Sequence, residues 1–134
     1  MNYWLVKSDP DTYSWHDLVK DKSTSWDGVR NYAARNHMKG MKKGDKVLVY
    51  HSGDETAVVG IASVLKEFYQ DPTTDEDAWV TVNLKAEKPL KNPVTLSQIK
   101  SDKRLKNMLL LKIGRLSVMP VQKEEFEAIL ESGG

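Results

Sequence analysis

Three consecutive segments in the middle of the chain carry strand patterns: Asp45 to His51 (DKVLVYH), Ala57 to Tyr69, and Trp79 to Glu87 (WVTVNLKAE). β-Branched and aromatic residues enrich them, and the third alternates cleanly between apolar and polar, the period of a half-buried strand. Only a turn at Ser52-Gly53-Asp54 and an acidic loop from Asp71 to Asp77 separate them. Gly60 lies inside the second and predicts a bend there. A chain that strings strands together in this way does not follow the strict strand–helix alternation of a parallel α/β sheet.

The flanks supply the helices. Asn2 to Lys7 predicts a first strand, broken by Asp9-Pro10. Ser14 with Asp17 forms a capping-box pattern opening a short helix, Trp15 to Lys20, and Asp21 to Gly28 is polar and predicts a loop. Arg30 to Met41 is rich in helix formers and ends at Gly40 and Gly44. Pro89 and Pro93 predict the end of the strand run, followed by helical turns at Leu96 to Ser101 and Lys103 to Leu109. A last strand, Leu116 to Met119, precedes an amphipathic helix, Lys123 to Glu131, stopped by Gly133-Gly134. The expectation is an α+β fold around a curled, mixed or antiparallel sheet.

With 134 residues the chain is expected to be a single domain, 1–134. Its 40% hydrophobic and 29% charged residues are those of a globular protein. There is no cysteine, which excludes a disulfide scaffold, a zinc ribbon and a thiol nucleophile, and fits a reducing cytoplasmic or nuclear compartment. No apolar run approaches the roughly 20 residues that span a bilayer, and the N-terminal stretch has neither signal- nor transit-peptide character, so no membrane partner is expected. No glycine-rich nucleotide fingerprint follows a strand.

The formal charge of +1 conceals an uneven distribution. From Gly28 to Lys46 there are six bases (Arg30, Arg35, Lys39, Lys42, Lys43, Lys46) against one acid, Asp45, while Glu67 to Asp77 holds five acids and no base. A segregated positive stretch is either a solvated helix face or the footprint of an anionic partner.

Candidate chemistry narrows quickly. His16, His37 and His51 have no ligand spacing, and the acidic loop lacks the pattern of a calcium site, so neither metal nor cofactor is expected. His51-Ser52 at a strand end is the one hydrolase candidate, although adjacent residues of an extended chain face opposite ways. Trp4 and Trp15 are assigned to the core. Trp26 differs: it stands in a polar stretch (Ser23-Thr24-Ser25-Trp26-Asp27-Gly28) that no apolar periodicity explains, and it is either a ligand-stacking ring or a loop plug. Aromatic rings beside cations suit nucleobases and phosphates.

A set of ordered motifs then becomes recognisable: Tyr3-Trp4-Leu5-Val6-Lys7-Ser8-Asp9-Pro10, Trp26-Asp27-Gly28-Val29-Arg30-Asn31-Tyr32 with Ala34-Arg35-Asn36, Met41-Lys42-Lys43-Gly44-Asp45, Val49-Tyr50-His51-Ser52, Val58-Val59-Gly60-Ile61-Ala62, Pro93-Val94, and Arg115-Leu116-Ser117-Val118. In these the chain resembles the EVE domain family of the PUA-like superfamily over almost its whole length. It departs at Asp9, where the family usually has glutamate, and at Gly114, where serine is common. The resemblance implies a PUA-like curved mixed β-barrel or sheet with peripheral helices. It also implies a non-catalytic reader of nucleic acid, whose cleft accepts a flipped base with a small modification, such as 5-methylcytosine in DNA or a modified base in RNA.

On that basis Trp26 would be the stacking wall, and Asn31, Ser8, Tyr50, His51, Ser52, Arg115, Leu116 and Ser117 the remaining pocket residues. Lys7, Arg30, Arg35 and Lys39 would meet the phosphates. Each has a plainer alternative. Asn31 is also placed to cap the following helix, Tyr32 to pack that helix on the sheet, Arg115 to pair with an acid such as Asp27, and Ser52 to make the turn. The domain is expected to act as a monomer.

Overall fold

The computed structural model describes residues 1–53 and 55–133. Six strands form one sheet in the order β2-β5-β4-β3-β1-β6. They are β1 (Tyr3–Ser8), β2 (Ser23–Ser25), β3 (Lys46–His51), β4 (Ala57–Gln70), β5 (Val80–Thr95) and β6 (Val118–Val121). β1 runs parallel to β3 and every other pairing is antiparallel, so the sheet is mixed. The helices are α1 (Trp15–Asp21), α2 (Tyr32–Gly40), α3 (Leu96–Ser101), α4 (Leu109–Lys112) and α5 (Lys123–Gly133), with a short 3-10 turn at Lys103–Leu105. Among the described residues no helix is long and apolar enough to cross a membrane.

The long hairpin of β4 and β5 sets the curvature. Its register shifts repeatedly, first between Val58 and Gly60, and each irregularity bends and twists the ladder. Gly60 also admits a neighbour: a Cβ there would lie 2.5 Å from the Trp15 ring, so the missing side chain lets α1 sit close against β4. Helix α1 opens as the sequence predicts, with reciprocal Ser14–Asp17 capping bonds.

Several boundaries differ from the sequence expectation. The polar stretch Asp21 to Gly28 contains β2, paired with Lys85, Leu84 and Asn83 of β5. Strand β5 runs on through Pro89 and Pro93 because β2 flanks it only near residues 83–85. Beyond that stretch a proline on the open side costs no ladder bond. Helix α2 starts at Tyr32, two residues late, because Asn31 is extended and caps it. The last strand is Val118–Val121, with Leu116 and Ser117 in the approach to it, and Lys103 to Leu109 holds the 3-10 turn and the start of α4. The expected turn at Ser52-Gly53-Asp54 and the stop at Gly133-Gly134 each end on a residue outside those described.

A single apolar cluster packs against the sheet, with successive residues of β1 and β3 in it, and includes Trp4, Leu5, Leu48, Met38, Leu84, Met119 and Ile129. Its polar anchor is Asp45, which is almost fully buried. Its carboxylate accepts hydrogen bonds from the Asn2 amide (3.1 Å), the Trp4 indole Nε1–H (3.0 Å) and the Lys42 amide (2.9 Å). It thus ties the N-terminus, β1 and the α2–β3 turn together. Replacing Asp45 by alanine leaves the buried Trp4 indole donor and two partly buried amide donors unpaired. In urea melts Asp45→Ala is expected to lose about 3 kcal/mol of stability, and a loss within experimental error would contradict this role.

Candidate functional site

The sheet curls so far that its two ends face each other. No ladder joins edge strands β2 and β6 among the described residues. Helix α2 packs on β4, β5 and β6 and so bridges the gap on one side. In the gap lies a cleft of about 530 Å³, lined by Lys7, Ser8 and Asp9 at the end of β1, Thr12 and Tyr13 beyond them, Thr24 and Ser25 of β2, the segment 26–30, and Ser117 before β6.

Trp26 is half-buried and partly packed against the core, with its remaining surface in the cleft. Its amide donates to the Val82 carbonyl (2.8 Å), extending the β2–β5 pairing by one residue and fixing where the ring stands. Tyr13 meets it edge-on, with centroids 6.2 Å apart and planes at 86°, which fills one edge and leaves indole surface toward the cleft. The Ser8 hydroxyl donates to the Tyr13 carbonyl and holds the post-β1 turn in place.

The wall from Asp27 to Arg30 is held by Asp71, whose side chain is 0% exposed. One carboxylate oxygen accepts from the Gly28 amide (2.8 Å) and Arg30 Nη1 (3.0 Å), and the other from the amide (2.7 Å) and hydroxyl (2.6 Å) of Thr73. Burial alone would raise the Asp71 pKa. The bonds from Thr73, Gly28 and Arg30 outweigh it and hold the carboxyl far below the usual range. Gly28 reaches this position with φ +79°, which favours glycine.

At the opposite wall the Lys7 ammonium donates to the Gly114 carbonyl (2.9 Å) and lies 5.9 Å from the Tyr50 ring centroid. Burial lowers its pKa.

Of the residues singled out from the sequence, Trp26, Ser8, Ser117, Lys7 and Arg30 line the cleft. The others do not. Asn31 Oδ1 accepts from the Ala34 amide (3.0 Å), so it is the α2 cap. Tyr50 is buried, in register with Lys7 and beneath its ammonium group. Leu116 belongs to the core. Ser52 follows β3, where its amide bonds the Ser8 carbonyl (2.9 Å). Arg115 is exposed and forms no ion pair with Asp27 or any other acid among the described residues. Arg35 and Lys39 lie on α2, outside the cleft.

His51 lines a separate cleft of about 900 Å³ with Asp9, Asp11, Glu55, Pro93 and Lys100. That space has no Trp, Tyr or Phe among its described lining residues, and its acids outnumber its bases. His51 Nε2 accepts the Trp15 amide hydrogen (2.9 Å), so that lone pair is not free to take a proton from Ser52, as a hydrolase would need. No group of three or more potential metal ligands occurs among the described residues.

Sequence reasoning missed Tyr13, Thr24, Ser25, Asp27 and Asp71. Tyr13 bore the same signal as Trp26, an aromatic ring in a polar stretch. Asp71 bore none for this wall, because Gly28 and Arg30, the partners it holds there, lie more than 40 residues away.

The fold is that of a PUA-like domain, and comparison with known proteins identifies the group within it. The EVE domain family model matches residues 2–132, and the chain belongs to that family. It is 32% identical to thymocyte nuclear protein 1 of Homo sapiens over 96% of its own length and 72% of that protein's. Among solved structures it resembles Rpa0253 from Rhodopseudomonas palustris, with a TM-score of 0.95 and 45% identity, covering 100% of this chain and 94% of that one. It also resembles human THYN1 solved in complex with 5-methylcytosine containing DNA, with a TM-score of 0.93 and 32% identity over 99% and 98% of the two chains.

Burial lowers the pKa of His51, and of His37, so both favour the neutral form in the fold. The unfolded chain therefore takes up protons first as pH falls below about 6.5. The stability that a neutral His51 contributes is complete above that pH and lost as pH falls through its lowered folded value. Urea melts from pH 7 to 5 are expected to show declining stability, with a shallower decline in His51→Gln, whose amide oxygen still accepts from Trp15. An identical slope in the variant would contradict this.

Proposed function

We propose that the seam cleft receives a single base turned out of a nucleic-acid strand, with Trp26 as its stacking wall, and that the preferred base is cytosine carrying a small group at carbon five in DNA. The observation that carries this is the half-buried Trp26 ring on a cleft otherwise lined by hydroxyls, two carboxylates and two cations. The volume of about 530 Å³ is within the range of small-ligand sites. The human relative crystallised with 5-methylcytosine containing DNA supports the choice of base and polymer.

The energetics define what the cleft must do. Extruding a base costs a few kcal/mol, and stacking on one ring returns about 1–3 kcal/mol. Stacking alone does not cover that, so polar contacts to the base edge are required. Asp27 supplies an acceptor for an exocyclic amine, the Ser8 and Ser117 region supplies hydroxyls and strand-end backbone, and Lys7 supplies a donor. Selectivity then arises because a base with the wrong edge would leave these groups unpaired.

The phosphate roles divide unevenly. Arg30 is neutralised by Asp71 and acts on the wall. Arg115, exposed beside the Gly114–Lys7 contact, and Arg35 and Lys39 on α2 remain to meet phosphates. The domain so described binds and does not catalyse.

Fluorescence anisotropy with matched DNA oligonucleotides that differ in one 5-methylcytosine tests the reading. The wild type is expected to bind the modified strand more tightly, and Trp26→Ala to lose about tenfold or more in affinity. Equal affinity for both strands together with no effect of Trp26→Ala would overturn it. Ribo-oligonucleotides of the same sequence, binding more tightly than the DNA, would reassign the polymer to RNA.

A further inference from the structure

We infer that the surface next to the cleft, running from Trp79 across Tyr32 to Arg35, is a stacking platform for the nucleotide adjacent to the one in the cleft. The recognised unit is then a single-stranded dinucleotide, not an isolated base. This rests on the reading of the cleft given above and extends it to the flanking strand.

Tyr32 is the first residue of α2 and is 61% exposed, so it does not serve to pack the helix on the sheet as the sequence suggested. Its ring leans on Trp79, which is buried, with centroids 4.9 Å apart and planes tilted by 35°. The Arg35 guanidinium lies 4.9 Å from the Tyr32 centroid. That guanidinium is itself fixed: Nη1 donates to the Ala78 carbonyl (3.2 Å), and Nε and Nη2 donate to Asn36 Oδ1 (3.2 and 2.9 Å). The result is an ordered ladder of flat groups in which Tyr32 is exposed and Arg35 half-buried. Bases stack on aromatic rings and on guanidinium planes alike, and such stacking tolerates any base because every base has a π-face.

The ladder adjoins the cleft through Arg30, which lines the cleft and places its guanidinium 5.6 Å from the Trp79 centroid. Tyr32, Arg35 and Lys39 follow at helical spacing along one face of α2. Arg35 and Lys39 make no ion pair among the described residues, so the face carries uncompensated positive charge beside an exposed ring. Of the nearby acids, Asp71 is engaged by Arg30 and Glu76 by the Trp79 indole Nε1–H (2.9 Å). Asp75 and Asp77 are exposed on the loop before Trp79 and disfavour a phosphate there, so the strand runs along α2. Rings interleaved with free cations match a polyanion that carries flat heterocycles, and this commits the face to nucleic acid.

The test uses the intact chain and three probes: 5-methyl-2′-deoxycytidine monophosphate, deoxydinucleotides that carry 5-methylcytosine with one further nucleotide on either side, and a blunt duplex containing the same modified cytosine. Affinities are read by NMR titration for wild type, Tyr32→Ala, Tyr32→Phe and Trp26→Ala. Because Tyr32 is exposed, folding of its variants is checked directly by their spectra. The expected result is that Tyr32→Ala weakens one dinucleotide about tenfold and leaves the mononucleotide unchanged, Tyr32→Phe binds as wild type, and Trp26→Ala weakens both. If Tyr32→Ala binds both probes as wild type while Trp26→Ala weakens both, the platform is overturned and the cleft reading stands. If neither alanine variant changes either probe, both readings fall. A duplex that binds as tightly as the dinucleotide and is indifferent to Tyr32→Ala would likewise overturn the platform.

Discussion

A buried carboxylate holds the cleft open. Asp71, at the start of the acidic loop after β4, satisfies its charge with the Gly28 amide, Arg30 and both donors of Thr73. One anion therefore fixes two loops that share no strand. The interaction is a charge-assisted network around a carboxylate that is itself shielded from solvent while its partners reach the surface, so removing a partner leaves a poorly solvated charge. The wall carrying Trp26, Asp27 and Gly28 keeps its shape because Asp71 stays ionised. The same bond explains why Arg30, in the most basic part of the chain, is a structural cation before it is a ligand contact.

The site follows from incomplete closure of the sheet. Six strands curl under the bulges of the β4–β5 hairpin until β2 approaches the β1–β6 side, without pairing to it. Unpaired edges are normally a liability, and here the gap is occupied by Tyr13, Trp26 and the hydroxyls of the facing strand ends, with α2 bridging alongside. Elements distant in sequence therefore meet only at this seam. Rigid strands position the polar groups while the connecting loops supply the rings, a division of labour suited to reading one small heterocycle.

What the sequence disclosed, and what it withheld, follows the range of the interactions. Local physics was legible: the Ser14–Asp17 capping box, the strand alternation and the irregularity at Gly60 are all decided within a few residues. Trp26 was legible as an indole without an apolar face to explain it. Strand β2 was not, because Ser23-Thr24-Ser25 has no apolar pattern and forms only where β5 offers an edge. Nor was the run of β5 through two prolines, which depends on that edge being open. Tyr50 and His51 are assigned to the pocket because they end a strand within one of the motifs that carry the resemblance. The β1–β3 register instead puts Tyr50 under Lys7, and the approach of α1 draws His51 to Trp15. Asp71 escaped notice because, beside a local turn with Thr73, its bonds to Gly28 and Arg30 are long-range.

The proposed function turns on whether the seam accepts a flat heterocycle against Trp26. The most direct measurement is a crystal of the protein soaked with 5-methyl-2′-deoxycytidine. The pyrimidine ring is expected in van der Waals contact with the Trp26 indole, within about 4 Å and between the ends of β1 and β2. Nucleoside density in the other cleft, beside His51 and Pro93, with the seam unaltered, would contradict it.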